Sequence, residues 1–224
     1  LREFGQAGVE LIGVPGPEGT AEVVELLDRS LTAVGLDEAV IGLGEDGLWT
    51  ALLQDAGAGP ETIELSSELL VSHDLVGVER ALAESDELDP EAIGQAATLI
   101  QLRGGAEVLE AARGLGGQGF AVVLERLEEN FRAITDRVSS RSVLLDLGML
   151  REIGYYSGST IEVYDETVGD VIGGGGRYDD LMNRFGLDLP AAGFTLYTER
   201  IHKAQLERRG VGPRAATGER DSDV

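Results

Sequence analysis

Three separated segments hold side chains that could act together on a small polar ligand. Gly173-Gly-Gly-Gly-Arg-Tyr-Asp-Asp180 is a run of four glycines closed by an arginine, a tyrosine and two acids. Apolar Val171-Ile172 precede it and Leu181-Met182 follow, so it reads as a strand opening onto something that must approach the backbone closely. A glycine run alone would fit a flexible surface loop, but the Arg177-Tyr178-Asp179 that continues it favours the edge of a ligand site. A phosphate cradle does not fit, because no Lys-Ser/Thr follows and Tyr178 interrupts the G-x-G-x-x-G spacing. Gln6 and Glu10 form the second segment, two strand periods apart with Gly8 between them. On composition alone their default place is a solvent-facing polar side. The third is Arg151 with Tyr155-Tyr156, ahead of a hairpin. If the three converge, acids and phenols over a glycine floor suit a small cationic or zwitterionic ligand. A carboxylate takes an ammonium, and phenols hydrogen-bond while excluding water. The residues lead to an amino-acid-like ligand and no further.

The composition narrows the partners. With 224 residues and 42% hydrophobic content the chain can bury a sizeable core. Lys and Arg number 18 against 41 Asp and Glu, a net charge of −23, which would repel a phosphate backbone and weighs against nucleic acid. There is no cysteine, and His73 and His202 are too far apart to read as a spaced ligand pair, so neither a disulfide framework nor a metal site is expected. No apolar run has the length of a membrane span, and the first residues lack the basic-then-apolar order of a signal peptide, so a cytoplasmic location is expected. The chain opens at Leu1 on a structured-looking segment, from which an omitted upstream portion is expected.

The elements that must position these residues follow from periodicity. From Gln6 the sequence alternates as a strand, with Ala7, Val9 and Leu11 on one side and Gln6, Gly8, Glu10 and Ile12 on the other. Thr20 can cap a helix striped by Val23, Val24, Leu27, Leu31 and Val34, closed by Gly35. Ala39 to Leu43 reads as a strand and Leu48 to Leu53 as helix. A helical block follows: Glu61 to Ser85, Pro90 to Leu102, Ala106 to Arg113 and Gly119 to Val138 all carry helical period, and Arg103 to Glu107 marks a bend. Trp49 and His73 are expected in or beside a core. Val143 to Leu147, Ser159 to Tyr164, Asp170 to Ile172 and Ala191 to Thr195 read as strands, with a hairpin turn over Asp165 to Gly169. Asp179 to Phe185 and Glu199 to Arg208 read as helices. Short connections among the late strands predict a mostly antiparallel sheet, giving an α+β fold with flanking helices and a helical insertion. The expected organisation is 1–58, first part of a core; 59–138, helical insertion; 139–209, second part of the core; and 210–224, a disordered polar tail.

These segments carry a resemblance. Arg2-Glu-Phe-Gly-Gln-Ala-Gly-Val-Glu10 resembles the end of motif 2 of the histidyl-tRNA synthetase family. Leu150-Arg151 with Tyr155-Tyr-Ser-Gly158 and Glu162 resembles its first histidine-binding signature, and Gly174-Gly-Gly-Arg-Tyr-Asp179 its second. Ala192-Gly-Phe-Thr-Leu-Tyr-Thr-Glu-Arg200 is similar to its motif 3. Together they frame residues 1 to about 205 in the family's order, which implies a class II aminoacyl-tRNA synthetase-like core. Gln6 to Gly13, Gly104 to Arg113, and Arg184-Phe-Gly186 followed by Pro190 to Phe194 are more similar to the branch without synthetase activity, the regulatory subunits of ATP phosphoribosyltransferase. Two departures agree. Arg151-Glu-Ile-Gly154 lacks an acid of the synthetase pattern, and Tyr197-Thr198 replaces a glycine where a synthetase seats ATP.

The resemblance implies that Gln6 and Glu10 hold the amino group of histidine, that Tyr155, Tyr156 and Tyr178 surround or bond its imidazole and ammonium, and that Arg151 lies near its carboxylate. Gly174, Gly175 and Gly176 would form the floor. Arg177 and Arg200 match motif positions and fit structural ion pairs equally. The implied role is a non-catalytic, histidine-sensing regulatory subunit with no cofactor, partnered by the catalytic subunit of the transferase and self-associating as a dimer. It would serve the first step of histidine biosynthesis and its feedback. The alternatives are a histidine-tRNA ligase core fragment and a scaffold that binds no ligand.

Overall fold

The structure, a computed structural model, describes residues 3–138, 143–151 and 156–210. The elements in chain order are β1 (Gln6–Ile12), α1 (Glu18–Ala33), β2 (Val40–Glu45), α2 (Leu48–Asp55), α3 (Pro60–Val71), α4 (Leu75–Glu84) and α5 (Pro90–Leu99). They continue with β3 (Arg103–Gly104), α6 (Glu107–Ala112), α7 (Gln118–Arg137), β4 (Val143–Asp146), β5 (Ser159–Asp165), β6 (Asp170–Arg177), β7 (Ala191–Tyr197) and α8 (Thr198–Arg208). The strands form one sheet in the order β1-β7-β6-β5-β2-β4-β3. Every pairing is antiparallel except β2 with β4. That parallel pair is bridged by the helices α2 to α7, which supply the long crossover a parallel pairing requires.

One hydrophobic cluster unites the layers. Val23, Val24, Leu27 and Leu31 of α1 and Phe120, Leu124, Leu127, Phe131 and Ile134 of α7 recur at steps of three and four. They bury one face of each helix against Leu43, Leu145, Ile161, Val163, Phe194 and Leu196 of the sheet. Trp49 is also buried there, its indole N–H donating to Ser66 Oγ at 3.2 Å.

Several expectations are corrected. Thr20 is not a cap. The first helix begins two residues earlier, after Pro17, and Thr20 is buried inside it as an acceptor for Arg177. The stretch from Glu61 to Ser85 is two helices broken at Ser72 to Asp74, where Asp74 caps the second through Gly77 N and His73 adopts a positive φ of 60°. His73 is exposed there, outside the core. The bend at Arg103 is a short strand on the sheet's edge, because Arg103 and Gly104 pair with Asp146 and Leu145. Asp179 to Phe185 holds only a 3₁₀ turn, Met182–Phe185, ended by Gly186 in left-handed conformation; seven residues before a glycine are too few to nucleate an α-helix. The four glycines lie wholly within β6.

Candidate functional site: a trough floored by glycine

Strand register shows why glycine recurs. One row across the sheet reads Val9, Phe194, Gly175, Ile161, Leu43, Leu145, and it faces the helices. Side chains alternate along strands, so the flanking rows face the other way. These read Gly8, Thr195, Gly174, Glu162, Gly42 and Glu10, Gly193, Gly176, Thr160, Gly44. Six of those ten positions, contributed by four strands, are glycine. The result is a trough whose floor is backbone.

Side chains from outside the floor reach over it. A Cβ on Gly174 would meet the Arg151 guanidinium, one on Gly176 would lie 2.6 Å from the Tyr156 ring, and one on Gly193 would meet the Glu10 carboxylate. Met149 covers Gly42 and Gly44 at 3.0 and 2.9 Å by the same measure. A cavity of about 500 Å³ remains over β1, β7 and β6, with Gln6 and Glu10 on one side and Arg151, Tyr156 and Tyr178 on the other. The Tyr156 and Tyr178 rings stand 6.4 Å apart at 52°.

The structure therefore brings together Gln6, Glu10, Arg151, Tyr156 and Tyr178 with Gly174 and Gly175. Gly176 lies beneath the Tyr156 ring. Tyr155 is outside the described residues. Thr195 also lines the cavity and was missed; it follows Gly193 at strand period, which is the signal that marks it, and Tyr197, noted above only as replacing a glycine, lines the cavity too.

Charge is arranged with opposite signs across the trough. Glu10 keeps solvent contact, yet partial burial against the sheet raises its carboxyl above the ordinary carboxylate value. Arg151 donates from Nη1 to the Ile161 carbonyl at 3.0 Å and pairs with Glu162 at 3.4 Å. The two motif arginines are held by the fold. Arg177 is buried, donating to Thr20 Oγ1 at 3.0 Å, Val14 O at 3.1 Å and Asp179 Oδ1 at 2.7 Å, and so ties β6 to the loop before α1. Arg200 lies 4.9 Å from the Tyr197 ring centre and donates to Asp170 Oδ1 at 3.2 Å and to the Val171 carbonyl.

Outside the trough, Glu45 is fully buried at the end of β2. It accepts from Arg126 Nε at 2.7 Å and Ser159 Oγ at 2.9 Å. Loss of hydration outweighs these partners and pushes its carboxyl up to about 7. Among the described residues no group of three or more His, Cys, Asp or Glu is placed to hold a metal ion. None of the helices among them is long and apolar enough to cross a membrane.

The chain is 40% identical over 214 residues to an ATP phosphoribosyltransferase regulatory subunit of Desulforamulus reducens, an alignment covering 95% of this chain and 53% of that protein. It is 38% identical to the protein of the same name from Moorella thermoacetica, covering 92% and 53%. The chain thus spans about half the length of the curated relatives it matches. Among solved structures, an ATP phosphoribosyltransferase regulatory subunit/histidyl-tRNA synthetase from Bacillus halodurans superposes with a TM-score of 0.83 at 29% identity, covering 90% of this chain and 53% of that one. The mostly antiparallel sheet and its helices match this neighbour's fold. The histidyl-tRNA synthetase family profile matches residues 1–201, which take in every strand of the sheet and both sides of the trough, and the chain belongs to that family.

Proposed function

We propose that this chain is the histidine-sensing portion of an ATP phosphoribosyltransferase regulatory subunit. It would serve the first step of L-histidine biosynthesis without itself catalysing a reaction. The names of its relatives support the reading. The observation that carries it is the pairing of an acid, Glu10 over Gly193, with a guanidinium, Arg151 over Gly174, above one glycine floor. Gly193 and Gly174 stand on neighbouring strands, one interstrand spacing of about 5 Å apart across the sheet and two residues out of register, a span suited to a zwitterion whose ammonium and carboxylate meet opposite charges. In this reading Glu10 and Gln6 take the ammonium, Tyr156 and Tyr178, with Tyr155, enclose the ring, and Arg151 takes the carboxylate.

Tyr197, with Arg200 stacked on it, lines the cavity at the position where the resemblance implies that a synthetase seats ATP, and Arg200 is already committed to β6. Regulation follows by linkage. Histidine that binds one state of the complex with the catalytic subunit more tightly shifts the population toward it, and the coupling is reciprocal. Dimerisation of the chain and its cytoplasmic location belong to the same proposal, as does the division into a core of 1–58 and 139–209 with an insertion at 59–138.

The test is calorimetric titration of the full-length protein with L-histidine, alongside its effect on the activity of the co-purified catalytic subunit. Saturable binding and histidine-dependent inhibition are expected. Histidine-dependent exchange of pyrophosphate with ATP would replace this reading with a ligase, and absence of both binding and regulation would leave a scaffold.

A further inference from the structure

A hydrogen-bonded network lies behind Arg151. Glu162 of β5 presents one carboxylate oxygen to Arg151 at 3.4 Å, and its other oxygen accepts from the Tyr164 hydroxyl. Both members of the ion pair are shielded, with side-chain exposures of 13% for Arg151 and 20% for Glu162. Tyr164 is wedged against the sheet where Gly42 makes room, since a Cβ there would come within 2.9 Å of its ring. Beyond it the Arg103–Asp146 ion pair and Tyr164 border a separate cavity of about 200 Å³. Neither Glu162 nor Tyr164 lines the main cavity, so any influence they have on a ligand there passes through Arg151.

A guanidinium is a planar fork of five donors, useful to a carboxylate only when its plane and edge are fixed. Here the plane lies over Gly174 and Nη1 is consumed by β5, through the Ile161 carbonyl and Glu162. We infer that Glu162, held in turn by Tyr164, is the positioning residue that aims the remaining donors of Arg151 at the carboxylate of an amino-acid ligand. The inference rests on the proposed histidine reading and adds a determinant of carboxylate recognition to it. Tyr164 shares the border of that smaller cavity with Arg103 of β3, the strand that joins α5 to α6.

The experiment compares L-histidine with L-histidinol, which keeps the amine and imidazole and lacks the carboxylate, on the full-length protein. Glu162→Gln should weaken histidine binding about tenfold, the scale of one charge-assisted hydrogen bond, and leave histidinol binding unchanged. Tyr164→Phe should show the same selectivity with a smaller loss, about threefold. In an Arg151→Ala background Glu162→Gln should have no further effect, because the two act as one unit. Thermal melts establish that each variant is folded. Equal weakening of both ligands, or none of either, overturns the inference while leaving the histidine reading in place. A wild-type protein that binds neither ligand overturns both.

Discussion

The Glu10 carboxylate lies over the α-carbon of Gly193, its register partner on β7, so that a methyl group at position 193 and an acid at position 10 compete for one space. The same relation holds between Arg151 and Gly174, but its surroundings differ. A Cβ on Gly193 would also come within 2.5 Å of the Val9 carbonyl, whereas nothing but the end of the Arg151 side chain would lie closer than 3.0 Å to one on Gly174. Gly174→Ala should therefore fold with a small change in melting temperature while displacing the guanidinium, and histidine affinity should fall at least tenfold. Gly193→Ala should cost stability as well, about 1–3 kcal/mol, because backbone must move. Calorimetry and thermal melts on the pair read the two effects separately.

Ser66 is the buried acceptor for the Trp49 indole N–H. Ser66→Ala leaves that donor without a partner inside the core, which should cost about 1–3 kcal/mol in urea unfolding. Ser67, whose hydroxyl is satisfied by its own helix through Ile63, should tolerate alanine with a much smaller loss.

Stability should depend on pH through Glu45. Its carboxyl titrates near 4.5 when unfolded and is pushed up to about 7 in the fold, so the native state holds the proton more strongly. Stability is then highest below the lower value and declines as pH rises through this window, by about 3 kcal/mol for this group. Melts at pH 5 and pH 8 should show a decline that is smaller by about that amount in Glu45→Gln; equal declines in both proteins would remove Glu45 as the cause.

Arg177 joins three segments from a buried position. Arg177→Ala should cost about 3 kcal/mol or more, measured by urea unfolding, because a carbonyl, a hydroxyl and a carboxylate lose their donor together.

Much of this was legible from residue types and spacing. Alternation placed Gln6 and Glu10 on one face of a strand, and the motif segments named Arg151, Tyr156 and Tyr178, which the fold brings to a single cavity. What escaped was whatever depended on pairing between distant strands. Gly42, Gly44, Gly8 and Gly193 look unrelated along the chain and become one floor only through the register of five strands. Thr20 has the residue type of a cap and is instead a partner for an arginine 157 positions away. The two-residue strand at Arg103 is too short for any period, and pairing with Asp146 and Leu145 alone defines it.

The trough divides the labour of each strand between its two sides. Val9, Phe194, Ile161 and Leu43 secure folding on one side, while the opposite side of the same strands is floored mostly by glycine, with a few polar side chains set among the peptide groups. Most of what a ligand would meet belongs to a handful of residues at the rim. Recognition can therefore drift by exchanging rim residues with the core untouched, so that descendants of one ancestral pocket can come to prefer different small molecules while folding equally well.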